Sequence, residues 1–240
     1  MGKRLLLMAV LIFLGVSSLW GEEITEGKVV VSDRFIRFGF ATGRTLDLGT
    51  TPKGGYKWVK RVPTKDGALQ KQLIYGSSSR GIYIGYWSGL NICDPGISLA
   101  NFTIADGVIQ LEIGHSVMAE RNNAAYINYR AKDNSSATGV RPEGTYQVEI
   151  AQNWLGKEDV ILFYGHEKLA SADVSESSKP TDERLLKVAF KGNHHMVWID
   201  GKKIINFEEA APGRDKPGYV GFGNWGACGY FNGFKVSEVK

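Results

Sequence analysis

Three glutamates sit where strand-like sequence could aim them at a substrate: Glu112 in "IQLEIG", Glu120, and Glu149 in "YQVEIA". Glycoside hydrolysis requires two carboxylates facing one another across a sugar, roughly 5 to 9 Å apart. Glu112 and Glu149 can both project from central strands and so form such an acid/base pair. Each can equally be solvated or pair with Arg121, Arg130 or Arg141 on a sheet face. The histidines His115, His166, His194 and His195 show no metal-binding spacing, and neighbours on a strand, such as the last two, point to opposite faces. The chain has no G-x-S-x-G elbow, and neither Cys93 nor Cys228 has a local base partner. Gly221, Gly223, Gly226 and Gly229 do not precede a helix, so they are read as sites of tight curvature or close sheet approach and not as a phosphate cradle.

Binding chemistry is better supplied. Aromatic rings stack on the C–H faces of sugars, with Asn, Asp, Arg and backbone groups reading the hydroxyls around them. The chain offers Tyr83, Tyr86 and Trp87 in "IYIGYWSGLN", Tyr126 and Tyr129 in "YINYR", and Trp225 beside Asn224 in "GNWGACGY". Tyr83 and Tyr129 can equally fill a core. Trp225 lies among glycines in a segment read as a loop, where a large ring invites a ligand. Arg130 is a central-strand cation that either meets a ligand or pairs with a sheet carboxylate. The expected ligand set is therefore Trp225, Asn224, Arg130, Tyr86 and Trp87.

These residues must be carried by strands. The chain contains 30 glycines and no long apolar stripe at helical period. Short runs with period 2, rich in Val, Ile, Tyr and Phe, recur instead. They cover 28–35, 72–76, 81–87, 98–114, 124–131, 145–151, 159–165, 184–192, 195–200, 203–207, 219–224 and 229–239. Many short strands joined by Gly-rich turns imply an all-β sandwich or barrel. In "HHMVWIDGKKIINF" (194–207) the Asp200-Gly201 pair separates two alternating runs and is read as a hairpin turn, since both residues tolerate positive φ. Met196 and Trp198 fall on one face of that strand and His195, Val197 and Ile199 on the other, so both faces should be covered. The stretches 41–58 and 171–183 read as loops, the first with room for one short strand.

The N-terminus reads differently. Lys3 and Arg4 precede a 12-residue apolar run, Leu5 to Val16, then "SSLWG" and Glu22-Glu23. That is the layout of a secretory signal peptide over 1–21, leaving one domain over 22–240; an uncleaved anchor is the alternative. Twelve residues are too few to span a bilayer. The formal net charge of +4 includes Lys3 and Arg4, so the mature chain carries +2 with no basic block, which argues against nucleic acid as a partner. The expected location is outside the cytoplasm, secreted, periplasmic or extracellular, where Cys93 and Cys228 are able to form one disulfide or remain two buried thiols. Asn101-Phe102-Thr103 and Asn134-Ser135-Ser136 are glycosylation sequons.

The order of several motifs resembles laminin-G-like, concanavalin A-like jelly-roll domains: "VVVSDRFIR" at the start, "AAYINYRAKDNSSATGVRPEGTYQVEIA" in the centre, then "VWIDGKKI" and "GYVGFGN...GYFNGFKV". The resemblance covers most of 28–240. It implies a sandwich of two curved antiparallel sheets with the first and last strands side by side. It also implies a candidate structural Ca²⁺ near the paired termini, with Asp33 at one ligand position and Asn232 where the family more often has Asp; an amide oxygen ligates Ca²⁺ without contributing charge. The E-x-D-x-x-E or E-x-D-x-E strand of concanavalin-like glucanases is absent here. The expected function is a non-catalytic carbohydrate-binding, lectin-like module with a polysaccharide or glycan as partner. A structural or adhesive domain and a glycan-active hydrolase are the alternatives.

Overall fold

Residues that alternate between apolar and polar can bury one face only by packing sheet against sheet. The computed structural model describes residues 23–35, 48–60, 73–78, 81–86, 96–115, 123–152, 157–174, 183–225 and 229–240. Among them are fifteen strands: β1 (Glu26–Asp33), β2 (Trp58–Lys60), β3 (Leu73–Ser78), β4 (Gly81–Tyr86), β5 (Gly96–Ile104), β6 (Gly107–His115), β7 (Asn123–Ala131), β8 (Tyr146–Gln152), β9 (Glu158–Tyr164), β10 (Glu167–Asp173), β11 (Glu183–Lys191), β12 (His194–Ile199), β13 (Lys202–Glu208), β14 (Gly218–Trp225) and β15 (Gly229–Val239). A single turn of helix, α1 (Asn134–Ala137), lies between β7 and β8.

The strands form a two-sheet antiparallel jelly-roll sandwich. One sheet has eight strands in the order β13-β12-β11-β6-β15-β4-β3, with β1 beside the second half of β15. The other has seven, β10-β9-β8-β7-β14-β5-β2. The first and last strands therefore pair, as the motif order implied. Between the sheets, Ile109, Leu111, Val188 and Val197 meet Ile127, Val148, Leu162 and Phe222, all with no solvent exposure. Each such side chain contributes about 1.5–3 kcal/mol on burial. Phe35, Trp58, Phe222 and Phe234 close one region of this core with ring centroids 5.1 to 5.7 Å apart.

The run 98–114 is two strands and not one. Ala105 and Asp106 break it, sending β5 into the seven-stranded sheet and β6 into the other. Asp106 anchors this crossing, its Oδ1 accepting from Gly192 N (2.8 Å) and Arg130 Nη2 (3.1 Å). Strand β10 was not among the alternating runs; it is an exposed edge, "EKLASAD", and an edge needs little apolar pattern.

Asp200 and Gly201 form the expected turn, with φ of 50° and 82°. The Asp200 side chain also accepts from Leu185 N (2.8 Å) and pairs with Arg184 Nε (2.6 Å). Arg184 in turn meets Glu158 on the other sheet at 3.0 Å, both side chains nearly buried, so one ion-pair chain ties the sheets together. Strand β12 is covered on both faces, because Ile24 folds over Val108, Ala189, Met196 and Trp198 on the outer side. Among the described residues no helix is long and apolar enough to cross a membrane.

Candidate functional site

Strands β7 and β8 turn Ile127, Tyr129, Val148 and Ile150 into the core, which leaves Tyr126, Asn128, Gln147 and Glu149 on the outer face of the seven-stranded sheet. These polar groups are the natural lining of a groove, yet all are buried. The connection 133–141, including α1, folds back over them. Tyr126 Oη donates to Thr138 O (2.9 Å), and Asn128 Nδ2 donates to Ala137 O (3.0 Å) and Gly139 O (2.7 Å). Gln147 Nε2 donates to Asn128 Oδ1 (2.6 Å) and Gly139 O (3.0 Å). Asp133 caps α1 by accepting from Ser136 N at 2.7 Å, a bond that holds its carboxyl below the usual range.

The cover can lie this close because its floor is glycine. A Cβ on Gly221 would fall 2.2 Å from Ala137 O, and one on Gly96 would fall 2.5 Å from Thr138 O. Gly221 thus serves close approach, as its sequence context suggested; the partner is the folded-back connection.

Glu149 is fully buried, and both its oxygens are engaged by Arg141, at 2.8 Å to Nε and 2.8 Å to Nη2. The Arg141 guanidinium also lies over the Phe163 ring, 4.0 Å from its centroid. Glu112 stands on β6, in the eight-stranded sheet, between the core residues Leu111 and Ile113, so it faces the opposite outer surface of the sandwich. The candidate acid/base pair Glu112 and Glu149 is therefore not brought together. Glu120 lies outside the described residues.

The expected ligand set is also dispersed. Trp225 is the last residue of β14 and not a loop residue; it sits opposite Ala124 on the outer face, half-buried, and its indole N–H has no hydrogen-bond partner among the described residues. Asn224, one residue earlier, points inward and is buried. Arg130 lies six residues further along β7 than Ala124 (124 to 130), about 20 Å away. It is buried, donating from Nε to Ala105 O (2.8 Å) with its guanidinium 5.2 Å from the Phe190 ring centroid. Tyr86 ends β4, while its side chain and Trp87 fall outside the described residues.

Of the two candidate Ca²⁺ residues, Asp33 is buried, accepting from Phe35 N (2.7 Å) and Trp58 Nε1 (2.9 Å). Asn232 follows the core residue Phe231 and sits opposite Glu112, so it faces outward. The two do not converge, and among the described residues no group of three or more His, Cys, Asp or Glu is placed to hold a metal ion. Cys93 and Cys228 lie outside the described residues.

A different polar centre occupies the end of the sandwich away from Trp225. Tyr129 Oη hydrogen-bonds His195 Nδ1 at 2.9 Å, and the Tyr146 ring lies 4.4 Å from the His195 ring. Tyr146 also lines a recess of about 360 Å³ formed with Asn193, Glu209, Arg214 and the 210–213 turn. Nothing in the sequence assembles these residues: they come from β8, the β11–β12 turn and the β13–β14 connection. Only "APGRD" (211–215) marks that connection as an ordered turn.

Burial, reinforced by Arg130 and His194, lowers the His195 pKa to about 3. Unfolded histidine titrates near 6.5, so between about pH 6.5 and 3 only the unfolded chain takes up this proton. Stability should fall through that window, by roughly 3 kcal/mol at about pH 4, and level off below it. Denaturant titrations across pH should show this slope, and His195→Phe should flatten it.

No protein-family model matches the chain, and no curated protein matches it by sequence. Solved structures do match. The carbohydrate binding module CBM66 from Bacillus subtilis superposes with a TM-score of 0.54 at 14% identity, over 75% of this chain and 95% of its own. SCLam, a non-specific endo-β-1,3(4)-glucanase of family GH16, gives 0.59 at 9% identity over 91% and 95%. The β-glucanase of Bacillus licheniformis gives 0.54 at 11% identity over 88% and 99%. These likenesses show that the chain shares its two-sheet jelly-roll fold with these proteins.

Proposed function

We propose that this chain is a carbohydrate-binding module that acts outside the cytoplasm and does not hydrolyse its ligand. The observation that carries the reading is Trp225. A large ring stands on the outer sheet face in one row with Ala124 and Ala151, whose small side chains leave room beside it. A flat apolar ring face is the pattern that sugars select. The non-catalytic reading is supported by Glu149 being paired with Arg141 while Glu112 stands on the other sheet. The shared fold with a carbohydrate binding module supports the ligand class, and the N-terminal apolar run supports export.

The test is a glycan-array screen of residues 22–240, with and without Ca²⁺, comparing wild type with Trp225→Ala. Saturable binding that weakens at least tenfold in the mutant is expected, since an aromatic platform contributes on the order of 1.4 kcal/mol or more. Binding only with Ca²⁺ would show that a cation takes part in recognition. No binding under either condition contradicts the reading and favours a structural or adhesive domain.

A further inference from the structure

The recess at the far end of the sandwich is built unlike the surface around it. Its inner wall is Tyr146, fully buried, with a hydroxyl that has no hydrogen-bond partner among the described residues. Two neighbours share that condition: His195 Nε2, on a ring 4.4 Å away, and Arg130 Nη1, whose guanidinium lies 5.9 Å from the Tyr146 ring centroid. Folded proteins leave few buried polar groups unsatisfied, because each costs about 1–3 kcal/mol. Three around one ring mark a place kept for something other than stability.

The opposite wall is rigid and polar. Glu209 is buried and held from both sides, by Ala211 N (2.9 Å) and Arg214 Nη1 (2.9 Å). Arg214 is fixed in turn by Glu167 (3.1 Å) and by the Tyr164 ring, 4.0 Å from its centroid. A carboxylate has about four acceptor positions, so these bonds leave Glu209 able to accept from ligand hydroxyls. The charges select the ligand class. Arg214 is shared between two carboxylates, and Asp215 adds another at the rim, so an anion is disfavoured. A metal cation would have to displace the Arg214 guanidinium from Glu209. The Tyr146 ring face is covered, so recognition here is by hydrogen bonds and not by stacking. A neutral ligand dense in hydroxyl groups satisfies all of these conditions, and about 360 Å³ is at the small end of ligand sites.

We propose that this recess is a second binding site, taking one sugar residue or a comparable neutral polyol between Tyr146 and Glu209. The choice of ligand class rests on the carbohydrate reading above; the site itself is at the opposite end of the strands from Trp225. The test is amide NMR of residues 22–240 titrated with free glucose, galactose, mannose, fructose and glycerol. At least one should shift the Asn193, Ala211 and Gly213 amides saturably. Ala210→Trp, which fills the recess from an exposed rim position, should abolish those shifts. Tyr146→Phe should weaken them about tenfold or more and raise the melting temperature of the free protein.

The proposal is overturned if none of the probes moves these amides, if the shifts survive Ala210→Trp, or if Tyr146→Phe lowers stability, which would mean the hydroxyl is already satisfied. A glycan-array signal with a silent recess would leave the Trp225 reading standing alone. A responsive recess with a blank array would keep this site and remove the Trp225 reading.

Discussion

Gly221→Ala should destabilise the protein by about 4 kcal/mol, far beyond the usual cost of one added methyl. The methyl would stand 2.2 Å from Ala137 O and 2.7 Å from Ile97 O, both backbone atoms that cannot rotate away. The Ile97 carbonyl belongs to the neighbouring strand, so the 133–141 connection must lift instead. Lifting it takes Ala137 O from Asn128 and strains the Gly139 and Arg141 contacts that satisfy Gln147 and Glu149. Each buried group left short costs about 1–3 kcal/mol. For a domain of this size the loss corresponds to roughly 10 °C in melting temperature. A change under about 1 kcal/mol would show that the connection rests loosely on the sheet.

The second large effect concerns the ion pair between the sheets. Arg184 and Glu158 are 3% and 2% exposed and 3.0 Å apart. Removing Arg184 takes this ion-pair partner from the buried Glu158 carboxylate, at a cost of about 3–5 kcal/mol, whereas removing Glu158 leaves Arg184 its pair with Asp200. Arg184→Met should lose that amount in urea titrations, and Glu158→Ala should lose less, because Asp200 still compensates Arg184. The double replacement Glu158→Leu with Arg184→Met should recover most of it, because two charges are then no longer desolvated. If the double variant is as unstable as the sum of the singles, the two charges are not coupled and the asymmetry is absent.

How far the sequence could be read depended on whether a feature was local. Asp200-Gly201 is a turn because two adjacent residues accept positive φ, and the covered faces of β12 follow from bulky residues alternating on both sides. Arg130 shows where alternation fails. Counting by twos from Tyr126 and Asn128 puts it on the outer face, but β7 carries an extra residue against β14 between Asn128 and Ala131, and Arg130 adopts φ of 52°. That bulge turns the side chain inward over Phe190. The polar stretch 133–141 reads as an ordinary loop; its folding back was foreshadowed only by Gly96 and Gly221, glycines that lie on one outer face once the strands are registered. The Tyr146 recess depends on residues from three distant segments, which no spacing rule connects.

Sugars should meet this protein at Trp225, beyond the edge of a sheet face closed by residues 133–141. Hydrogen exchange of residues 22–240 with and without a saturating array-selected glycan measures this directly. New protection is expected at the end of β14, around Asn224 and Trp225, with exchange over 133–141 unchanged. Exchange that accelerates over 133–141 while Tyr126, Asn128 and Gln147 become protected would contradict it. That result would make the covered face the ligand site and the connection its lid.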